Sequence, residues 1–454
     1  MRRKKWLISS VILLLFVFVG IRGGIPFYSV QAHAVPVQIA DSVARPETIP
    51  LPAVTMIPYK DSSCRIIDST RSLHAFFGGL DSLMARKDTV LTIVHLGDSH
   101  IQAGHYPGKV MRLMHQQFGN AGRGWVAPFK LSRTNEPDDY FISSVVRDWV
   151  AGRCIQKNRK CMIGLGGIGI QSASPSINMD IWIAPVNGAG YAFNQAILYR
   201  GDKSMPLLPA GKWKDSVRVS LSSVPCLPGV LADTFQISCL TDTLQLHSSR
   251  QKPGTNQLLP ASSFKNLYYG FSLTNGGPGI LYHMVGVNGA MFVNYTDEEY
   301  IRQLALLKPS LLIVSLGTNE TFGRRFTSTE FKEQIEDFLS LVRKYMPETT
   351  LLLTTPPECY KRAYVKKKRV YVRNENTQRA AQAIVEVAER HGIACWDLFT
   401  ATGGRNSSAK WQKAKLLGRD RIHFTKEGYQ EQGSLLYRAL MQSYNQYNER
   451  KDVY

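Results

Sequence analysis

The chain has 454 residues and carries 55 Lys and Arg against 35 Asp and Glu, a formal net charge of +20. That length exceeds the ~100 to 200 residues of an ordinary domain, so more than one packed unit is expected, and the charge draws polyanions from a distance. Nucleic acid is not among the partners: there are no zinc-type cysteine pairs, no phosphate loop ending in Lys-Ser/Thr and no aromatic RNA-reading signature.

Arg2, Arg3, Lys4 and Lys5 precede an uncharged apolar run over 6–19, a pattern that keeps the basic end in the cytoplasm and exports the rest. Residues 1–24 thus read as a signal peptide or an N-terminal membrane anchor. The Ala32-His33-Ala34 site lies well beyond the apolar run, which leaves cleavage open. Residues 25–60 contain Pro36, Pro46, Pro50, Pro52 and Pro58 and are expected to form an extended tether. The expected localisation is the periplasm or cell envelope.

From residue 90 the texture is α/β. An apolar strand over 90–96 ends at Gly97-Asp98-Ser99-His100, and a helix begins near Pro107 with Val110, Leu113, Met114 and Phe118 on one face. After Trp125 come short alternating runs, among them Ile181-Trp182-Ile183 and Phe235-Gln236-Ile237, separated by Gly, Pro and Asp. These predict β-sandwich structure. Beyond Gly276-Gly277-Pro278-Gly279 the α/β texture resumes with a continuous apolar strand over 311–316. A helix follows, with a capping box at Thr327 and Glu330 and a stripe of Phe331, Ile335, Phe338, Leu339 and Val342. Further units are a strand over 350–355, a helix over 377–390 and a strand over 393–398. Alternating strands and helices imply right-handed parallel crossovers, so the β-rich block is an insertion between the first and second α/β parts. The expected parts are 61–124, the insert 125–280, and 281–454.

The chemistry sits at strand ends. A serine hydroxyl needs a base within hydrogen-bond reach, and Ser99 stands where an apolar strand must turn. His423 is the natural base, with Asp420 one turn earlier to fix its tautomer and Thr425 to cap the helix starting near Lys426. A tetrahedral oxyanion needs preorganised donors, for which the Ser99 amide, a glycine amide and the Asn319 side chain are suited. Asp98 reads as a hydrogen-bond acceptor at the turn. His95 reads as a buried strand histidine and His100 as a pocket-lining, substrate-binding residue. The spacings of His95, His100, His105 and His115 do not form a helical zinc pair, and no metal or organic cofactor is required.

These residues resemble those of the SGNH (GDSL-type) hydrolase family. Gly97-Asp98-Ser99-His100 resembles its first block, Val285-Gly286-Val287-Asn288-Gly289-Ala290 its second, Gly317-Thr318-Asn319-Glu320 its third and Asp420-Arg421-Ile422-His423 its fifth. The resemblance implies a flavodoxin-like three-layer α/β sandwich with a parallel sheet. It also implies that the Gly289 amide completes the oxyanion hole with Ser99 and Asn319. Glu320 stands where the family has Asp, and His100 where it has Leu or Ile. An insert between the first two blocks is similar to the envelope-associated branch that deacetylates peptidoglycan, in which the insert is like a carbohydrate-binding jelly roll. The function implied is an exported serine esterase removing O-acetyl groups from a cell-wall or extracellular glycan. A glycan O-acyltransferase and a noncatalytic, membrane-tethered glycan-binding protein are the alternatives.

Two features have blander readings. The basic run from Lys361 to Arg369 suits an anionic glycan or a phospholipid surface but reads most simply as a solvated loop. Trp182, Tyr191 and Trp213 suit stacking on sugars, with core packing the commoner role. The odd cysteine count of seven implies no disulfide framework; Cys154/Cys161 and Cys226/Cys239 are candidate local pairs, and buried thiols are the simpler reading.

Overall fold

The computed structural model describes residues 49, 51–52, 63–184, 190–211, 217–248, 256–257, 265–323 and 325–451. The export segment and most of the expected tether lie outside them. Among the described residues no helix is long and apolar enough to cross a membrane. Within the expected tether, Ile49 is buried and fastened to the C-terminal helix: its N–H and C=O each pair with the Asn445 side-chain amide at 3.0 Å.

The central sheet runs Ile66–Ile67, Ala394–Trp396, Thr350–Thr354, Leu311–Ser315, Val90–Gly97 and Gly279–Gly286. All neighbours are parallel except the short antiparallel edge Ile66–Ile67. Leu311, Leu312, Ile313 and Val314 are fully buried, as a strand covered on both faces requires. From Val90–Gly97 the chain next enters the sheet on one side, at Gly279–Gly286, and then on the other, at Leu311–Ser315. The strand order therefore reverses around Val90–Gly97. In parallel sheets such a reversal opens a crevice beyond the carboxyl ends of the flanking strands, where ligands bind.

Helix His105–Phe118 follows the first long strand, and helix Lys426–Lys451 packs against it. Gly433 permits that approach, because a Cβ there would lie 2.8 Å from the Tyr106 carbonyl oxygen. Helix Ser328–Tyr345 starts at Thr327, whose hydroxyl accepts from the Glu330 N–H at 3.3 Å, and buries Phe331, Ile335, Phe338, Leu339 and Val342. The stripe and cap are those the spacing predicts.

Between the first two long parallel strands the chain builds antiparallel sheets. One has the order Val219–Leu227, Val230–Thr241, Phe193–Gly201, Asn266–Thr274, Ile168–Ser172 and Val150–Arg153, with Gly124–Val126 also paired to Asn266–Thr274. The other has the order Tyr140–Ser143, Asn178–Ile183, Thr243–Ser248 and Leu207–Ala210. Two buried ion pairs lock this region, Arg123 with Asp139 and Arg200 with Asp233, each at 2.5 Å. Removing one partner of such a pair strands a buried charge and costs about 3–5 kcal/mol. Trp182 is exposed whereas Tyr191 is buried, and Trp213 lies outside the described residues. All seven cysteines are free thiols.

The basic run is not a loop. Tyr360–Val365 and Lys368–Arg373 form an antiparallel hairpin closed by Lys366 and Lys367, both at positive φ (47° and 63°). That is the backbone of a type I′ turn, the twist-matched way to close a two-residue hairpin. Asn-Gly is its usual signal, so the Lys-Lys sequence concealed it.

Candidate active site

The turn that carries Ser99 is built on glycine. Gly97 pairs with Gly286 on one side and Ser315 on the other, and a Cβ at Gly97 would sit 2.3 Å from Ile101 Cγ1 and 2.6 Å from the Ser315 carbonyl oxygen. Only a residue without a side chain lets the strand turn at once into the short helix Ser99–Gln102. Asp98 caps that helix, its Oδ1 accepting from the His100 N–H at 2.9 Å. Ser99 is thereby set beyond the carboxyl end of the central strand.

Adjacent strands deliver the other groups to the same end. Gly289 follows Gly279–Gly286 in a left-handed conformation (φ 80°), and Asn319 follows Leu311–Ser315. From the far end of the chain, the Asp420–His423 turn brings in an imidazole. Ser99 Oγ lies 2.8 Å from His423 Nε2, and His423 Nδ1 lies 2.7 Å from Asp420 Oδ2. Asp420 Oδ1 accepts from the N–H groups of Ile422 and His423, at 3.0 Å each. Burial works to raise the Asp420 pKa, but hydrogen bonds from the His423 ring and these two amides outweigh it and hold the carboxyl below its ordinary value. Thr425 caps helix Lys426–Lys451, accepting from the Gly428 N–H at 3.2 Å.

The hydroxyl opens into a cavity of about 670 Å³ lined by Ser99, Ala103, His105, Asn135, Asn288, Gly289, Asn319, Phe322, Ile422, His423, Phe424, Lys426 and Tyr429. Among the described residues the Ser99 and Gly289 amides donate to no acceptor of the chain, which leaves them available to a bound group. Asn319 also lines the cavity, but both hydrogens of its Nδ2 are engaged, one on Asp98 Oδ2 at 3.1 Å and one on the Ala290 carbonyl at 3.0 Å. Donation to an oxyanion from Asn319 therefore requires exchanging one of these bonds.

Behind Asn319 lie two carboxyls. Burial pushes both Asp98 and Glu320 up to about 7, and the Asp98 charge adds to the rise at Glu320. Glu320 Oε1 accepts from the Phe292 N–H at 2.9 Å, and its Oε2 has no partner among the described residues. The Glu320 carboxyl thus lies beneath the cavity lining and not in it.

His100, expected against substrate, is absent from the cavity lining. It is buried beneath, its Nδ1 2.9 Å from the Tyr429 hydroxyl and its ring centroid 5.4 Å from that of His423. Burial lowers its pKa to about 3, so it packs as a neutral ring. The reason is local geometry: one residue after Ser99, the first turn of a helix directs its side chain inward. His95 is a buried strand histidine bonded to the Tyr282 and Ser315 hydroxyls at 2.8 Å each.

One wall was not anticipated. Asn135 belongs to the β-rich segment, and its side-chain oxygen accepts from Asn288 Nδ2 at 2.6 Å and Gln102 Nε2 at 3.0 Å. Asp138 pairs with Lys426 at 2.5 Å across the same rim. No local signal in the sequence links residues so far apart; the only hint was Asn288 within the second block.

A strand-end serine, an imidazole and a carboxylate in one hydrogen-bonded line, on a parallel sheet at its switch point, form the arrangement that serine acyl transfer requires. Residues 260–431 match the model of the GDSL-like lipase/acylhydrolase family, a stretch that holds Gly289, Asn319, Asp420 and His423 but not Ser99. The chain thus carries a domain of that family, an SGNH-type esterase. Among solved structures, a peptidoglycan O-acetylesterase is 18% identical and matches over 84% of this chain and 99% of its own, with a TM-score of 0.66. A GDSL-like lipase from Bacteroides thetaiotaomicron is 16% identical over 36% of this chain and 76% of its own, with a TM-score of 0.27. A comparison with curated proteins finds no match.

Proposed function

We propose that the protein is an exported serine esterase that removes O-acetyl groups from a cell-wall glycan. The observation that carries this reading is the unbroken relay from Ser99 Oγ through His423 to Asp420, at 2.8 and 2.7 Å, opening on a solvent-connected cavity. His423 takes the Ser99 proton as Oγ attacks the ester carbonyl, while Asp420 holds the ring tautomer and steadies the imidazolium. The Ser99 and Gly289 amides donate to the developing oxyanion, and Asn319 joins them by exchanging one of its two Nδ2 hydrogen bonds. His423 then returns the proton to the departing sugar oxygen, leaving an acetyl ester on Ser99. In the second half a water gives its proton to His423 and attacks that ester, and His423 passes the proton to Ser99 Oγ as the bond to the acetyl carbon breaks and acetate leaves.

The side chain of His423 is 44% exposed, which gives water the access that hydrolysis requires. The likeness to a peptidoglycan O-acetylesterase over most of both chains supports the glycan class, and the apolar N-terminal run with its basic flank supports export. The antiparallel sheets over the expected insert, 125–280, support a glycan-holding module, since Asn135 from that segment borders the cavity. The test is acetate release from O-acetylated peptidoglycan. Wild type is expected to release it and Ser99→Ala to fall to background; release that survives Ser99→Ala would overturn the proposal, as would glycan binding without turnover.

A further inference from the structure

Hairpin Tyr360–Val365/Lys368–Arg373 has an ordered face that the chemistry above does not use. Its register pairs Tyr360 with Arg373, Arg362 with Tyr371 and Tyr364 with Arg369. Residues directly opposite in an antiparallel pair share a face, and so do residues two apart along a strand. These three pairs therefore form one face, and each sets a tyrosine across from an arginine. With strands of six residues the ladder is about 20 Å long. Its outer half is open: Tyr364 is 76% exposed, and Arg362 and Arg369 are exposed and make no ion pair among the described residues. Of the three arginines Arg373 is committed, to Glu375, Glu358 and the Asn406 side-chain oxygen.

The ladder runs directly into the catalytic turn. Arg421, between Asp420 and His423, places its guanidinium 5.4 Å from the Tyr360 ring and 4.6 Å from the Tyr371 ring, and its carbonyl accepts from the Tyr360 N–H at 3.0 Å. The next residue, Ile422, lines the cavity. Tyrosine faces stack on sugar rings, and guanidinium forks recognise carboxylates. A solvated charge run has no need of a tyrosine opposite every arginine, or of an attachment to the base-bearing turn.

We propose that this Tyr–Arg ladder is an extended subsite for a carboxylate-bearing glycan chain, holding the polymer while its acetylated unit occupies the cavity. The proposal rests on the esterase reading and adds to it that the substrate polymer is anionic. A sugar ring lies on the open face of Tyr364, and carboxylates along the chain meet Arg362 and Arg369.

The test compares full-length wild type with Arg362→Gln/Arg369→Gln, which keeps the tyrosines, the turn and Arg421. The substrates are O-acetylated peptidoglycan sacculi with free carboxyls and the same sacculi with their carboxyls amidated, and acetate release is normalised to each protein's own turnover of p-nitrophenyl acetate. At low salt the wild type is expected to prefer native over amidated sacculi by roughly tenfold, and the variant to lose most of that preference. High salt is expected to erase the difference, because these charges are solvent-exposed. Equal preference in both proteins would overturn the ladder, as would a variant that loses binding to phosphatidylglycerol vesicles but keeps the sacculus preference. If p-nitrophenyl acetate is turned over but no sacculus releases acetate, the glycan esterase reading has failed; co-sedimentation with native and amidated sacculi then decides the ladder by the same preference.

Discussion

The two halves of the candidate site are held by different physics. The nucleophile turn is packed: Asp98 is 1% exposed, Gly97 has no room for a Cβ, and the turn is clamped between two parallel strands. The base turn is open, with the side chains of His423 and Asp420 44% and 38% exposed. It is held instead by backbone bonds: Gly418 N–H to the His423 carbonyl at 2.6 Å, Arg421 N–H to the Gly418 carbonyl at 3.0 Å, and the Tyr360 N–H on Arg421. Burial around it fixes Ser99, while a hydrogen-bonded turn leaves the His423 imidazole accessible to water. Substitutions should therefore separate stability from activity according to the half they strike.

The sharpest separation is expected from Asp420→Asn. The asparagine oxygen can keep both backbone bonds, but its amide nitrogen cannot accept from His423 Nδ1–H, so the ring is left in the wrong tautomer. Ester turnover should fall by about 10²–10⁴, while the melting temperature moves by less than about 2 °C. A large loss of melting temperature would mean that the base turn carries stability after all.

Gly97→Ala reverses the pattern. Its Cβ would overlap Ile101 and the Ser315 carbonyl, and denaturant unfolding should register a loss of about 1–3 kcal/mol. Unchanged stability would show that the nucleophile turn yields as easily as the open one.

The smallest effect belongs to Glu320→Gln, on the packed side. Burial raises the folded-state pKa of Glu320 from 4.5 to about 7, so the folded chain binds the extra proton. That contribution to stability is complete below the unfolded value of 4.5 and is lost as pH rises through about 7. Glutamine can retain the bond from the Phe292 N–H without acquiring charge. Its melting temperature relative to wild type should thus rise by a few degrees from acid to alkaline pH, and a pH-independent difference would contradict the assigned burial.

Much of this was legible because strand ends and turn residues act locally. The apolar strand running into Gly97-Asp98-Ser99, the capped helix after Thr327 and the Asp420/His423 spacing each encode their own geometry. What escaped depends on packing between distant segments. Period alone does not reveal that His100 turns under Tyr429, that Asn135 crosses from the β-rich segment to meet Asn288, or that Ile49 docks on Asn445. The basic run hid a hairpin because lysines occupy its positive-φ turn, and its Tyr–Arg pairing exists only once the register is set.

The most direct measurement is covalent labelling with an active-site serine phosphonate followed by mass mapping. A single adduct on Ser99, slowed strongly in His423→Ala, is the predicted result. An adduct on another residue, or labelling of Ser99 at the same rate without His423, would contradict the relay.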